Sequence, residues 1–531
     1  MAERTAKYVL ASMISDPFAD AVQFFRAETD KKDILVRFRP NPENNYQEIC
    51  NITSEDFKQW LFSCYKGRSK SDFNNDYEKL LSVARFDENI SIVNVFKRVG
   101  YYHNNIYIDM CNKDCKVVKI SDNSDGQAWT IIDENEITDP ILFQRTQGMK
   151  ELPEPKLGDR TLKELLGTLI NVNDTDLSLI MSWLLIALNP HLTCPILFLN
   201  ARKGQGKSTT TKVIKSIIDP DVAGALSPFN TGRDFNVIAV SRYILPLDNL
   251  GKITPRFSNQ LCRAVTGAGI SNRKLYTDYE YIDKKIKSHI ILNGIDYVPA
   301  RSDLRDRCYF VSMQKLDAQH RKLDSELKRE FEDTQAEILG VLLTALHGGL
   351  VSNHEPKFDF DVRMLDAATF ACKCINADKE NILQISEDDF KRALASMKIE
   401  TDEKEIQEDE LTEVLYEMAI SEYETERRRN PKITEITLWE GTTKEFLKKI
   451  QKFTRDTFGK AKVKKLPENT RRLGKKLGAK SQLRPILEQT GFSFKQHREG
   501  GTGNEGWIIT FRPADLGKNE VATETTTITD N

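Results

Sequence analysis

Three runs in the middle of the chain share a pattern. "CPILFLN" (194–200), "YILPLDN" (243–249) and "SHIILN" (288–293) each hold a few consecutive apolar residues and end on the polar side. Unbroken apolar runs of this length read as strands buried on both faces. The segments between them have helical spacing, so residues 194 to about 313 read strand, loop, helix, strand, helices, strand, loop, strand. That alternation predicts a parallel α/β sheet. Two helices are expected ahead of it, over 161–170 and 175–188. The run Leu177–Leu188, "LSLIMSWLLIAL", is too short to span a bilayer and fits a buried helix. Behind the sheet a helical pattern covers 321–350, and mixed helices continue to about 428.

The first 150 residues alternate differently. "SEDFKQWLFSCY" (54–65) has helical spacing with Ser54 as its N-cap, and "DYEKLLSVARF" (76–86) is similar. Short strands are expected over 104–111, 115–121 and 128–133, separated by Asn, Asp and Gly. "KELPEPKLGD" (150–159) is a Pro-rich joint. No internal repeat is visible.

A length of 531 residues allows about three or four domains. The net charge of −2 conceals an uneven distribution: residues 402–426 carry eleven Asp/Glu and one Lys, and residues 444–499 carry seventeen Lys/Arg against five Asp/Glu. An acidic block followed by a basic one suggests a linker and then a module for a polyanion. The nine cysteines are scattered and read as reduced thiols. Cys111-x3-Cys115 and Cys372-x-Cys374 lack a second Cys/His pair, so no zinc site is expected. The N-terminus has no signal-peptide apolar core; a cytoplasmic protein without a membrane partner is expected.

The polar ends of the three strands carry the candidate chemistry. After the first comes Ala201-Arg202-Lys203-Gly204-Gln205-Gly206-Lys207-Ser208-Thr209, a P-loop pattern with Ala in place of its first Gly. Gly204 and Gly206 allow backbone N–H groups to approach phosphates, Lys207 would reach the β- and γ-phosphates of ATP, and the Ser208 hydroxyl would ligate Mg²⁺. Ala201 is tolerable if it need not adopt positive φ. Asp248 ends the second run where an acid that holds Mg²⁺ through water is expected; the alternative is a strand-end cap. The next residue, Asn249, stands where a water-activating carboxylate is expected, and it cannot take a proton. Asn293 ends the third run, either orienting the attacking water or merely closing the strand. Arg301, Arg305 and Arg307 follow, as candidates for a neighbouring subunit's γ-phosphate or as members of a surface cluster with Asp303 and Asp306.

These pieces in this order resemble the superfamily 3 helicases, a branch of AAA+ ATPases found in viruses, phages and mobile elements. "TGAGISNRKLYTDYE" (266–280) resembles that family's motif of small and then basic residues. The run is also similar to uncharacterised bacterial and phage proteins with "LDNL", "LNGI" and R-x-DL-x-DR patterns. There Asp-Asn is the usual pair, and the last pattern maps onto Arg301 and Arg307. The resemblance implies a ring of six subunits around DNA, ATP between subunits, Arg307 or Arg301 as the arginine finger, and a β-hairpin placing Arg273 and Lys274 on single-stranded DNA in the channel. A structural ion pair with Asp278 or Glu280 is the alternative for that pair.

At the C-terminus, Phe446, Leu447, Ile450 and Phe453 share a helical face. A helix from about 469 carries Arg471, Arg472, Lys475 and Lys476, and "FSFKQHREGGTGNEGWIITF" reads as two strands joined by a Gly-rich turn. Helices followed by such a hairpin would form a winged helix on duplex or origin DNA. The expected α/β architecture is therefore an α+β N-terminal domain (1–150, non-catalytic), a P-loop AAA+ parallel-sheet core (151–350), a helical and partly acidic linker region (351–440), a basic winged-helix-like domain (441–513) and a disordered tail (514–531). The expected activity is that of an ATP-dependent replicative DNA helicase or replication initiator, with a primase or other replication proteins as further partners. An ATP-gated DNA-binding switch with slow hydrolysis and a defence-associated ATPase are the alternatives.

Overall fold

The computed structural model describes residues 5–513 apart from 42–45, 68, 124–126, 147, 202–204, 228, 230–231, 251–252, 268, 274–280, 286, 295–301, 316–321, 409, 465, 479–480, 482 and 499–504. The expected tail, 514–531, lies outside the described residues. The chain divides into two units, Met1–Ala395 and Ser396–Asn531.

The first unit begins with α1 (Ala6–Met13), α2 (Asp16–Asp20), β1 (Gln23–Ala27), β2 (Asp30–Phe38), β3 (Glu48–Asn51), α3 (Glu55–Ser63) and α4 (Lys70–Phe86). The N-cap oxygen of Ser54 accepts from Phe57 N at 3.3 Å, and Phe57 and Leu61, one turn apart, are buried beneath α3. Helix α4 starts six residues before the expected position because Ser69 caps it, its hydroxyl accepting from Asp72 N at 3.0 Å. Next come β4 (Ser91–Phe96), β5 (Val99–Tyr102), β6 (Asn105–Asp109), β7 (Lys116–Ile120), β8 (Thr130–Asp133) and β9 (Ile141–Phe143). They build two sheets, β3-β2-β1-β4-β9 and the meander β5-β6-β7-β8. The expected α+β character of this region is therefore present.

Then follow α5 (Leu162–Gly167) and α6 (Asp174–Ala187). Every residue from Leu177 to Ala187 is buried, as an all-round apolar helix requires. The central elements are β10 (Ile196–Asn200), α7 (Lys207–Ile218), α8 (Gly232–Ser241), β11 (Ile244–Leu250), α9 (Pro255–Thr266), β12 (Gly269–Arg273), β13 (Tyr281–Lys285), β14 (His289–Gly294), α10 (Ser302–Arg305) and β15 (Cys308–Ser312). Strands β11-β14-β10-β15 form a four-stranded sheet, and its pairings are all parallel. The three apolar runs are its three neighbouring strands, with the third inserted between the first and second. The outer side of β11 meets Leu226, whose N–H donates to Pro246 O at 2.9 Å. Pro246 lacks an N–H, and this outer position is where a strand tolerates it. Strands β12 and β13 form a separate antiparallel pair.

Helix α11 (Asp324–Val351) packs on α12 (Leu365–Ala377). By length and composition α11 could cross a membrane, but 67% of its most apolar stretch is buried within the fold. Helix α13 (Glu387–Glu408) contains the division between the units.

The second unit contains α14 (Glu410–Arg429), β16 (Ile436–Thr442), α15 (Thr443–Phe458), α16 (Lys460–Val463), α17 (Thr470–Leu477), α18 (Leu483–Gln489), β17 (Phe492–Arg498) and β18 (Glu505–Phe511). The region 351–440 is not one linker. Leu411, Val414, Leu415 and Met418 of α14 join Phe446, Ile450, Trp507 and Phe511 in a single core, so the acidic helix buries its apolar face with the basic segment. The antiparallel sheet order is β16-β18-β17, and β16 was not anticipated from the sequence.

Candidate active site

The site is built where β10, β14 and β11 end side by side. Chain exit from β10 is through Ala201, which is buried and is not among the residues with positive φ. Gly206 holds φ 80, ψ 16, a left-handed position immediately before α7 that a side chain would disfavour. Lys207 opens α7, and its Nζ donates to Ala201 O at 2.6 Å. Gln205, Ser208 and Thr209 are half-buried around the same turn. A helix N-terminus here aims its opening N–H groups, and with them a partial positive charge, at the turn. Gly204 lies outside the described residues.

Asp248 and Asn249 occupy a bulge. Leu247 pairs with Leu292 and Leu250 with Gly294, so β11 advances one residue more than β14. Asp248 N donates to Leu226 O at 2.8 Å, and its carboxylate Oδ1 accepts from Ser208 Oγ at 3.0 Å. The predicted metal acid and the predicted metal hydroxyl therefore meet across the intervening strand. Asn249 has φ 56, with its side chain exposed. Asn is among the few residues that accept that conformation readily. Asn293 is wholly buried. Its Oδ1 accepts from Asn249 N at 2.7 Å, and its Nδ2 donates to Thr211 Oγ1 at 2.9 Å. The carboxamide thus ties β14 to the bulge and to α7. Thr211 was not anticipated; the available signal was its position four residues after Lys207, on the same helix face.

Arg307 sits at the other end of the sheet. Cys308 pairs with Ile196, at the start of β10, so roughly 15–20 Å of strand separates Arg307 from the loop that follows β10. It lines a cleft of about 390 Å³ with Thr193, Thr266, Arg363 and Met364. Arg305, by contrast, is buried. Arg301 lies outside the described residues.

A buried charge layer closes the start of β11. Arg98 has no exposed surface. Its Nε donates to Asp219 Oδ1 at 3.3 Å, and its other nitrogens donate to the carbonyls of Asp109, Lys150 and Pro220. Asp219 Oδ2 accepts from Ile244 N at 3.1 Å. Lys215 lies 3.5 Å from Asp219 and 3.1 Å from Asp221. The N-terminal sheets and the strand carrying Asp248 therefore share one ion cluster. Beside it, burial and then the Lys287 charge push the His289 imidazole down to about 4.

For nucleic acid, Arg273 ends β12 opposite Tyr281; Lys274 lies outside the described residues. In the second unit the N-cap Asn469 Oδ1 accepts from Arg472 N at 3.0 Å. Leu473 and Leu477 are buried, which leaves Arg471, Arg472 and Lys475 exposed and Lys476 half-buried. Arg472 pairs with Glu468 at 2.9 Å.

Residues 163–397 match the family described as the actinomycete integrative conjugative element replication protein. That segment contains the candidate phosphate-binding loop, Asp248, Asn293 and Arg307. No curated protein matches the chain. Among solved structures, an A-form apo structure of the NrS-1 C-terminal region is similar at 12% identity and a TM-score of 0.43, over 94% of this chain and 99% of that one. A second apo structure of that region has 11% identity and a TM-score of 0.42 over the same shares. JCV helicase bound to a small molecule is similar at 14% identity and a TM-score of 0.20, over 45% of this chain and 72% of that one.

Proposed function

We propose that this chain is an ATP-dependent DNA helicase or replication initiator of a mobile element, of superfamily 3 type, acting in the cytoplasm as a homohexameric ring. The observation that carries the reading is the meeting of Ser208 with Asp248 at 3.0 Å, beside a helix that opens with Lys207. The match of residues 163–397 to a replication-protein family supports the biological setting. The insertion of β14 between β10 and β11 supports the AAA+ arrangement, because it brings a third polar strand end, Asn293, between the other two.

A hydroxyl and a carboxylate are hard oxygen donors, which suits Mg²⁺ arriving with ATP. When bound, that ion supplies charge neutralisation at the β- and γ-phosphates. The chain's own groups do the rest. Lys207 leaves Ala201 O and binds phosphate, together with the N–H groups that open α7. Asn249 presents an exposed carboxamide that orients water without taking its proton. Arg307 serves the nucleotide of a neighbouring subunit. Arg273 and Lys274 follow the backbone of single-stranded DNA. In the second unit the order helix, strand, helices, hairpin supports a winged-helix reading, with Arg471, Arg472, Lys475 and Lys476 on duplex or origin DNA. A primase or other replication protein would complete the replication machinery.

The test is ATP hydrolysis and strand displacement by the full chain, with and without single-stranded DNA, beside Lys207→Ala. DNA-stimulated turnover with displacement, lost in the variant, is expected. Absence of both in the wild type defeats the helicase reading. Asn249 favours one alternative, because a site without a proton acceptor hydrolyses slowly. In that case ATP would alter DNA affinity while no strand is displaced.

A further inference from the structure

The bulge after Asp248 depends on a support outside its own strand. Asn249 is held at φ 56, a conformation most side chains avoid. Its N–H can only donate, so Asn293 must turn its oxygen there, at 2.7 Å. The amide nitrogen then faces Thr211, whose Oγ1 accepts at 2.9 Å. Both Asn293 and Thr211 are wholly buried, so water does not substitute for either partner. Thr211 stands one helical turn beyond Lys207, on the same face of α7.

We propose that Thr211 is a positioning residue for ATP hydrolysis. It fixes the Asn293 carboxamide, the carboxamide fixes the bulge, and the bulge aims the Asp248 and Asn249 side chains at the nucleotide. The proposal rests on the ATPase reading above. It also gives the first turn of α7 a route to the bulge: when phosphate draws Lys207 away from Ala201 O, any shift of that turn is carried by Thr211 to Asn293. Asn293 is then a clip whose setting depends on the phosphate-binding helix.

The test uses the full chain with Thr211→Val, which keeps the shape and removes the acceptor, and Thr211→Ser, which keeps the acceptor. Four readouts are taken: kcat and KM for ATP, equilibrium affinity for ADP without magnesium, melting temperature, and amide exchange of the peptide containing Asn249. In Thr211→Val, kcat is expected to fall about tenfold and Asn249 exchange to rise about tenfold, as loss of one buried hydrogen-bond partner implies. ADP affinity stays within about twofold, because Lys207 and the α7 N-terminus are untouched. Thr211→Ser restores kcat and protection together. The proposal is overturned if Thr211→Val leaves kcat or exchange unchanged. It is also overturned if kcat, ADP affinity and melting temperature all fall and Ser rescues none of them. A wild-type chain that turns over no ATP would overturn the ATPase reading itself, and the hydrolytic role of Thr211 with it. An unchanged kcat in Thr211→Val beside an active wild type removes only the role of Thr211.

Discussion

Arg307 offers the sharpest test of whether a nucleotide site is shared between subunits. It directly precedes Cys308, which is level with Ile196 at the start of β10, while the candidate phosphate-binding loop follows Asn200 at the far end of that strand. The separation of roughly 15–20 Å exceeds the reach of one arginine side chain. Arg307 therefore cannot reach a nucleotide placed at its own Lys207. If it acts on phosphate, it acts on a neighbour's. Arg307→Ala should lower kcat by about 10³-fold, the lower range for loss of an arginine finger. Lys207→Ala should be inactive because its own site is lost. In an equimolar mixture, an interface works when an Arg307→Ala subunit supplies the P-loop and a Lys207→Ala subunit supplies the arginine. Random assembly gives that combination at about a quarter of interfaces. Steady-state ATPase assays of the two variants, separately and mixed before DNA is added, read this directly. Recovery toward a quarter of wild-type turnover is expected. A mixture no more active than the sum of its parts refutes the shared site, and so does an Arg307→Ala variant with full activity.

Three further outcomes follow from the geometry. Asn249→Glu would install the missing carboxylate, yet it should lower kcat, because holding Glu at φ 56 costs about 1 kcal/mol or more; Asn249→Asp should be better tolerated, and a Glu variant faster than wild type contradicts the bulge argument. Arg98→Met strips the buried Asp219 of one partner while Lys215 remains, so about 3 kcal/mol should be lost. That is a fall of about 4 °C in the melting temperature of a unit this size, and a shift below 1 °C by calorimetry would refute it. His289 is held down to about 4 by burial, against the usual 6.5 of a free imidazole. The unfolded chain therefore takes up a proton between about pH 6.5 and 4 while the folded one does not, and stability falls as the pH drops through that window, by about 3 kcal/mol in all. Denaturant titrations of wild type and His289→Phe at pH 7 and pH 4.5 should diverge accordingly; parallel curves would count against a buried neutral imidazole.

Much of the site was legible because its chemistry is local. Ala201, Gly206, Lys207 and Ser208 lie within eight residues, and a strand, a loop and a helix are each written in short-range spacing. Asp248 and Asn293 were legible as polar ends of apolar runs. The use of Asn293 was not legible. Its amide spans Asn249 and Thr211, which lie 44 and 82 residues away in the chain, and nothing in local spacing announces such a bond. The same holds for Arg98, whose neighbours in the chain give no sign that Asp219, 121 residues later, packs against it.

The sequence alone determined the strand ends, the left-handed Gly206 turn into α7, the paired strands β17 and β18 of the second unit and the division of charge, because apolar periodicity, Gly placement and side-chain type act over a few residues. Tertiary structure alone decided three things. It set the strand order that brings β14 between β10 and β11, and it set the left-handed bulge that makes Asn fitting after Asp248. It also assigned α14 to the C-terminal core, where Leu411, Val414, Leu415 and Met418 have apolar partners that a linker would lack. Each depends on which distant surfaces exclude water together, and that is settled only when the whole chain has packed.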